Sequence, residues 1–217
     1  MKQDRLILAL SDELQKQLPG QEAQYQMAHG VRQRVAPPPA NARQAGVMAL
    51  FYPVPTEGWH LVFIERQRSA NNPNDRHAGQ ISFPGGKHEP EDPSMEYTAL
   101  RETEEEVGVD RQSVTVIGKL TELYIPVSNF LVHPYVGIVE RRPQFVPDPA
   151  EVQRILEVPF GHLQHPKARQ RTDLELAQNL ILKGVPYFNV GGKVLWGATA
   201  MMVSELVAVA ERAMARY

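Results

Sequence analysis

The sequence contains no cysteine, which excludes disulfides, thiolate catalysis and cysteine-ligated zinc or iron–sulfur centres in one step. Neither sign of charge is in excess: 23 Lys and Arg stand against 25 Asp and Glu, a formal net charge of −2. The basic footprint of a nucleic-acid binder is therefore missing. Long apolar runs are missing too. The stretch from Leu6 to Leu10 is too short for a membrane span or a signal sequence, so the expectation is a cytoplasmic protein with no membrane partner. There is no internal repeat or low-complexity tract. Seven histidines are present, but no pair has zinc-motif spacing; His133, inside an apolar run, reads as a core residue.

What is present is an ordinary globular composition, with 42% apolar and 22% charged residues. At 217 residues the chain has room for one sizeable core and a small appendage. Leu6, Leu10, Leu14 and Leu18 recur at four-residue spacing, predicting an amphipathic helix from about Asp4 to Leu18, ended by Pro19 and Gly20. Such a stripe is a core face or the face of a homodimer. Consecutive prolines at Pro37, Pro38 and Pro39 form a stiff spacer. The spacer divides an N-terminal helical appendage, residues 1–40, from a main domain, residues 41–217.

Within the main domain, Gly46 to Tyr52 and His60 to Ile64 read as a hairpin, followed by a polar loop from Gln67 to Arg76. Val114 to Leu120, Leu131 to Val139 and Val185 to Asn189 read as strands, and Pro149 to Leu156 and Ala198 to Arg216 as helices. Strands interleaved with helices predict an α/β layered fold.

The chemistry is concentrated in FPGGKHEPEDPSMEYTALRETEEEVGV, from Phe83 to Val109. Asp92 reads as an N-cap, Pro93 as the first helical residue and Gly108 as the C-terminal cap, predicting a helix from Pro93 to Val107. At about 100° per residue, Glu102, Glu105 and Glu106 share one side, while Leu100, Thr103 and Val107 share another that can meet a sheet. Like charges at this spacing repel. A hard divalent cation, Mg²⁺ or Mn²⁺, relieves the repulsion, prefers oxygen ligands and leaves positions for substrate phosphates. Arg101 precedes Glu105 by four residues and can hold its rotamer. Gly85 and Gly86 bring bare backbone close to a metal or phosphate.

This stretch closely resembles the Nudix box, Gly-x5-Glu-x7-Arg-Glu-hydrophobe-x-Glu-Glu-x-Gly-hydrophobe. Arg101, Glu102, Glu105, Glu106, Gly108 and Val109 match it, and Thr103 stands in the first hydrophobic position. Counted from Gly86, the first acidic position is Asp92, and the spacer from there to Arg101 is one residue longer than in the box. That expansion, with FPGG and TALRET, resembles the coenzyme A diphosphatase branch of the superfamily. RHAGQISFPGG from Arg76 to Gly86, PYF from Pro186 and LWGATA from Leu195 are similar to that branch as well.

The resemblance implies a Nudix-type α/β/α sandwich with a mixed central sheet, here preceded by an N-terminal helix. It implies a diphosphohydrolase that uses Mg²⁺ or Mn²⁺ and splits coenzyme A into 3′,5′-ADP and 4′-phosphopantetheine. The metal set would be Gly86, Glu102, Glu105 and Glu106, and Glu105, Arg101 and Glu151 would be the catalytic candidates, with Glu122 a weaker one. The 3′-phosphate of coenzyme A needs a cation, for which Arg66, Arg68, Arg76 and Lys87 are the nearest basic residues. Two readings stand beside this one: a Nudix hydrolase of another nucleoside diphosphate derivative such as ADP-ribose or NADH, and a nucleotide-sensing Nudix module without turnover.

Overall fold

The computed structural model describes residues 2–30, 37–67, 79–176 and 180–216, with side chains from residue 5 onward. In chain order the elements are α1 (Lys2–Leu14), α2 (Gln21–Tyr25), β1 (Arg43–Val54), β2 (Gly58–Arg66), β3 (Ile81–Ser82), β4 (Gly85–Lys87) and α3 (Met95–Val107). There follow β5 (Thr115–Lys119), β6 (Leu123–Ile125), β7 (Phe130–Ile138), β8 (Val152–Pro159), α4 (Phe160–Gln164), β9 (Arg169–Leu176), β10 (Leu180–Val190), β11 (Lys193–Trp196) and α5 (Gly197–Ala215).

β1 and β2 form the predicted hairpin, registered from Phe51↔Leu61 to Val54↔Gly58. β1 is central: β7 runs parallel to it, whereas β2 and β4 are antiparallel, so the sheet is mixed. Its main path is β3-β2-β1-β7-β5, with β4, β6 and β8 paired to β1, β7 and β2. Both faces of β1 are buried, and the period-2 alternation divides them. Met48, Leu50 and Tyr52 join Val62, Ile64, Ala99 and Val107 in the core under α3. Ala49 and Phe51 join Leu61, Phe63 and the α5 residues Met201, Val203 and Leu206 on the opposite face. Each large side chain fully buried there contributes about 1.5–3 kcal/mol. The architecture is the expected α/β/α sandwich, with a small second sheet ordered β11-β10-β9.

α1 ends at Leu14, a turn earlier than its leucine spacing predicts, because Pro19 disfavours helical backbone at the residue before it and leaves Leu18 outside. Ile7, Leu10 and Leu14 nonetheless belong to the same core as α5.

The predicted helix from Pro149 to Leu156 is corrected. Asp148 accepts backbone hydrogen bonds from Glu151 at 3.2 Å and from Val152 at 2.8 Å, a single helical turn. The chain then becomes strand β8, paired with β2 from Arg66↔Val152 to His60↔Pro159. The outer edge of β2 needs a partner for its backbone groups, and that tertiary demand overrides local propensity. The predicted loop from Gln67 to Arg76 lies almost wholly outside the described residues.

Candidate active site

α3 begins two residues later than predicted. Ser94, not Asp92, is the N-cap, its side chain accepting from the Tyr97 N–H at 3.1 Å. Gly108 closes the helix as expected, at φ 72°, with its N–H donating to the Glu104 carbonyl. A left-handed cap of this kind strains any residue with a Cβ. The apolar side of α3, with Ala99, Thr103 and Val107, is sealed against the sheet. Glu102 and Glu106 are thereby turned toward the start of β4 and the end of β2.

Glu106 is only 1% exposed. Its Oε2 accepts from the Gly85 N–H at 2.8 Å, and its Oε1, 3.5 Å from Arg66 Nη1, has no hydrogen-bond partner. Glu102 is half-buried with its Oε1 2.9 Å from Arg101 Nη1. Glu151 enters from the turn before β8, held where its carbonyl accepts from the Gln67 N–H at 2.7 Å. Carboxylate oxygens of Glu102, Glu106 and Glu151 lie within 4.8 Å of one another. Burial pushes the Glu106 carboxyl up to about 8; the Gly85 N–H and Arg66 oppose the rise, and Glu102 and Glu151 reinforce it. Burial raises Glu102 as well, against the pull of Arg101.

Against the three carboxylates stand Arg66 and Arg101, the latter shared with Asp92 and Glu105, and Glu106 keeps a buried oxygen without a hydrogen bond, so the group has room for further positive charge. Gly86 completes the cradle, since a Cβ there would run into the Glu102 carboxylate. An all-oxygen donor set of this kind fits a hard divalent cation.

Asp92 takes a different role from the N-cap expected of it. It is buried and receives Arg101 Nε and Nη2 on its two oxygens, both at 2.9 Å, as well as the Thr98 hydroxyl at 2.8 Å. The longer spacer thus still delivers an acidic side chain to Arg101. The guanidinium hydrogen bonds hold the Asp92 carboxyl well below the usual carboxylate range. A depressed acid stabilises the fold at pH values above its unfolded value and loses that contribution as pH falls through its folded value. Asp92→Asn is therefore expected to lower stability at neutral pH by about 1–3 kcal/mol, the scale of hydrogen bonds to a charged group. The gap to the wild type should narrow only below pH 3.8, the ordinary aspartate value. Urea unfolding at a series of pH values checks this; a gap that stays constant into strong acid would contradict it.

The remaining sequence candidates are distributed as follows. Glu105, placed by the sequence among the metal residues, is more than half exposed and bound by Arg101 Nη1 at 2.8 Å, outside the group of three. Arg101 therefore clamps Asp92, Glu102 and Glu105 together. Arg66 reaches the group directly, and Lys87 stays exposed, 3.2 Å from Glu89. Arg68 and Arg76 lie outside the described residues. Glu122 pairs with His133 at 3.2 Å and is not a member of the group of three; His133 also meets Gln44 at 2.7 Å, satisfied as expected. The tie from the Gly85 N–H to Glu106 carried no signal beyond the glycine pair itself.

Comparison with known proteins agrees with this geometry. The family described as NUDIX domain matches residues 42–180. The uncharacterized Nudix hydrolase NudL of Photorhabdus laumondii is 32% identical over 179 residues, covering 80% of this chain and 90% of that protein. A protein of the same name from Yersinia pestis is 37% identical over 131 residues, 60% of this chain and 64% of its own length. A MutT/nudix family protein from Enterococcus faecalis shares the fold at a TM-score of 0.51 and 14% identity, covering 89% of this chain and 73% of that one. With its acidic helix, its glycine pair and Arg101 arranged as described, the chain belongs to the Nudix family and is a diphosphohydrolase of nucleoside diphosphate derivatives.

Proposed function

We propose that this Nudix hydrolase cleaves the diphosphate of coenzyme A or its derivatives, releasing 3′,5′-ADP and 4′-phosphopantetheine. The observation that carries the reading is the FPGG segment running directly onto the acidic group, with the Gly85 N–H on Glu106 and the lengthened spacer absorbed by the Asp92–Arg101 pair. Both features resemble the coenzyme A diphosphatase branch.

Glu102 and Glu106, with the Gly86 backbone beside them, would hold Mg²⁺ or Mn²⁺. Such an ion, when bound, neutralises charge developing on the diphosphate oxygens and makes a water a better nucleophile at neutral pH. The chain's own groups do the rest. The Gly85 N–H fixes one oxygen of Glu106, Arg101 fixes Glu102 and Glu105, and Arg66 holds a guanidinium beside Glu106, where it can meet a phosphate. Glu151, the exposed member of the group, takes the proton from the attacking water, with Glu105 at the rim as the alternative base. No covalent intermediate is required. Arg66, Arg68, Arg76 and Lys87 supply the cation for the 3′-phosphate.

Incubation with coenzyme A, NADH, ADP-ribose and dGTP in Mg²⁺ or Mn²⁺, followed by identification of products, tests the reading. Coenzyme A should give the highest kcat/KM and the two named products. Preference for ADP-ribose or NADH would assign a different substrate to the same site, and absence of turnover on all four would favour a sensing module. Among alanine variants of the four basic residues, at least one should lose the preference for coenzyme A over dephospho-coenzyme A. If all four keep it, the 3′-phosphate is bound elsewhere.

A further inference from the structure

Strand β9 carries Arg169, Arg171, Asp173 and Glu175 at alternate positions. A strand's period of two projects these four from one face and Gln170, Thr172, Leu174 and Leu176 from the other. The basic pair occupies the first half of the strand and the acidic pair the second. Among the described residues β9 is also the last strand of its sheet, paired with β10 on one side only, and such an edge is a template for another strand.

Set antiparallel against a second copy of itself about a twofold axis at Thr172, Arg169 meets Glu175 and Arg171 meets Asp173, and symmetry makes each pair twice. The register is selective. Moving the axis by one residue, to Arg171 or to Asp173, sets that residue against its own like-charged copy. We propose that β9 is a self-recognition edge and that the chain forms a twofold homodimer by antiparallel β9 pairing centred on Thr172.

The far part of the ribbon stands outside both hydrophobic cores. The register pairs Leu176↔Leu180 and Leu174↔Leu182 place four leucines on one face, and none of them belongs to either hydrophobic core. Leu180 is 55% exposed. A two-stranded ribbon of this kind is marginal in water, whereas added strands stabilise it. A strand of unrelated sequence would satisfy the backbone edge equally well, but the order of two cations then two anions is complementary to its own reverse, which selects a second copy in an isologous contact. The contacts already made on the ribbon leave capacity for this. Arg169 donates to Gln26 Oε1 at 3.1 Å, Arg171 donates to the Gly184 carbonyl at 2.9 Å and Asp173 accepts from the Gly184 N–H at 2.8 Å, which uses one of several donors on each guanidinium and one of two carboxylate oxygens.

Sedimentation equilibrium on the full chain should show a dimer. Glu175→Arg, which sets two like-charged pairs across the axis, should raise its dissociation constant by about tenfold or more. Because the chain has no cysteine, cross-linking reads the axis itself. Thr172→Cys faces its own copy within disulfide reach and should give a linked dimer on mild oxidation. Glu175→Cys faces Arg169 and should not. A monomeric wild type, a dimer indifferent to Glu175→Arg, or equal cross-linking at the two positions would each overturn the proposal.

Discussion

Glu106→Gln is expected to lower turnover by at least about 100-fold, the upper end of what losing a group that merely orients a metal ligand costs, while the chain remains folded. Glutamine keeps the size of glutamate, and its carbonyl oxygen can still accept the Gly85 N–H that Glu106 Oε2 accepts at 2.8 Å. What it removes is the negative charge at the most buried point of the site. Burial already disfavours that charge, pushing the carboxyl up to about 8, so a neutral replacement should leave stability in metal-free buffer unchanged or raised. Loss of kcat with an unaltered urea midpoint is therefore the expected pairing. Wild-type turnover in the variant at saturating metal would remove Glu106 from the machinery, and a collapsed midpoint would show that its role is structural.

Excess Mg²⁺ or Mn²⁺ should raise the melting temperature, because a ligand bound only by the folded state stabilises it by mass action. At 100 times Kd the contribution is about 2.7 kcal/mol, a shift of a few degrees for a domain of this size. The source is local. Glu102, Glu106 and Glu151 hold oxygens within 4.8 Å of one another, and repulsion among them is tolerated without the ion and relieved with it. Changing Glu102 and Glu106 together to Gln removes both the repulsion and the ligands, so the metal-induced shift should vanish while the metal-free melting temperature holds or rises. Glu105→Gln, on a side chain directed to Arg101 and solvent, should keep most of the shift. A wild-type curve indifferent to millimolar metal, or an equal shift in the double variant, would place the cation elsewhere.

The features legible in the sequence are those whose cause lies within a few residues. The capping of α3 by Gly108, its division into an apolar and an acidic side, and the β1–β2 hairpin follow from local backbone preference and from periods of 3.6 and 2. The acidic motif is legible for the same reason, since Arg101, Glu102 and Glu106 lie on one element, and its resemblance to the Nudix box is what implies the chemistry.

What the sequence alone left open involves partners distant along the chain. Local pattern places the N-cap at Asp92, but the approach of Arg101 buries Asp92 as its partner and Ser94 begins the helix instead. Glu105 and Glu151 were both legible as carboxylates near the site. Which one joins Glu102 and Glu106 depends on β8, whose first residues read as helix by local pattern but are drawn out as a strand by the open edge of β2. Backbone pairing between segments that far apart is invisible to a short window of sequence. It exists only once the sheet has formed, and the position of the third carboxylate is a consequence of that pairing.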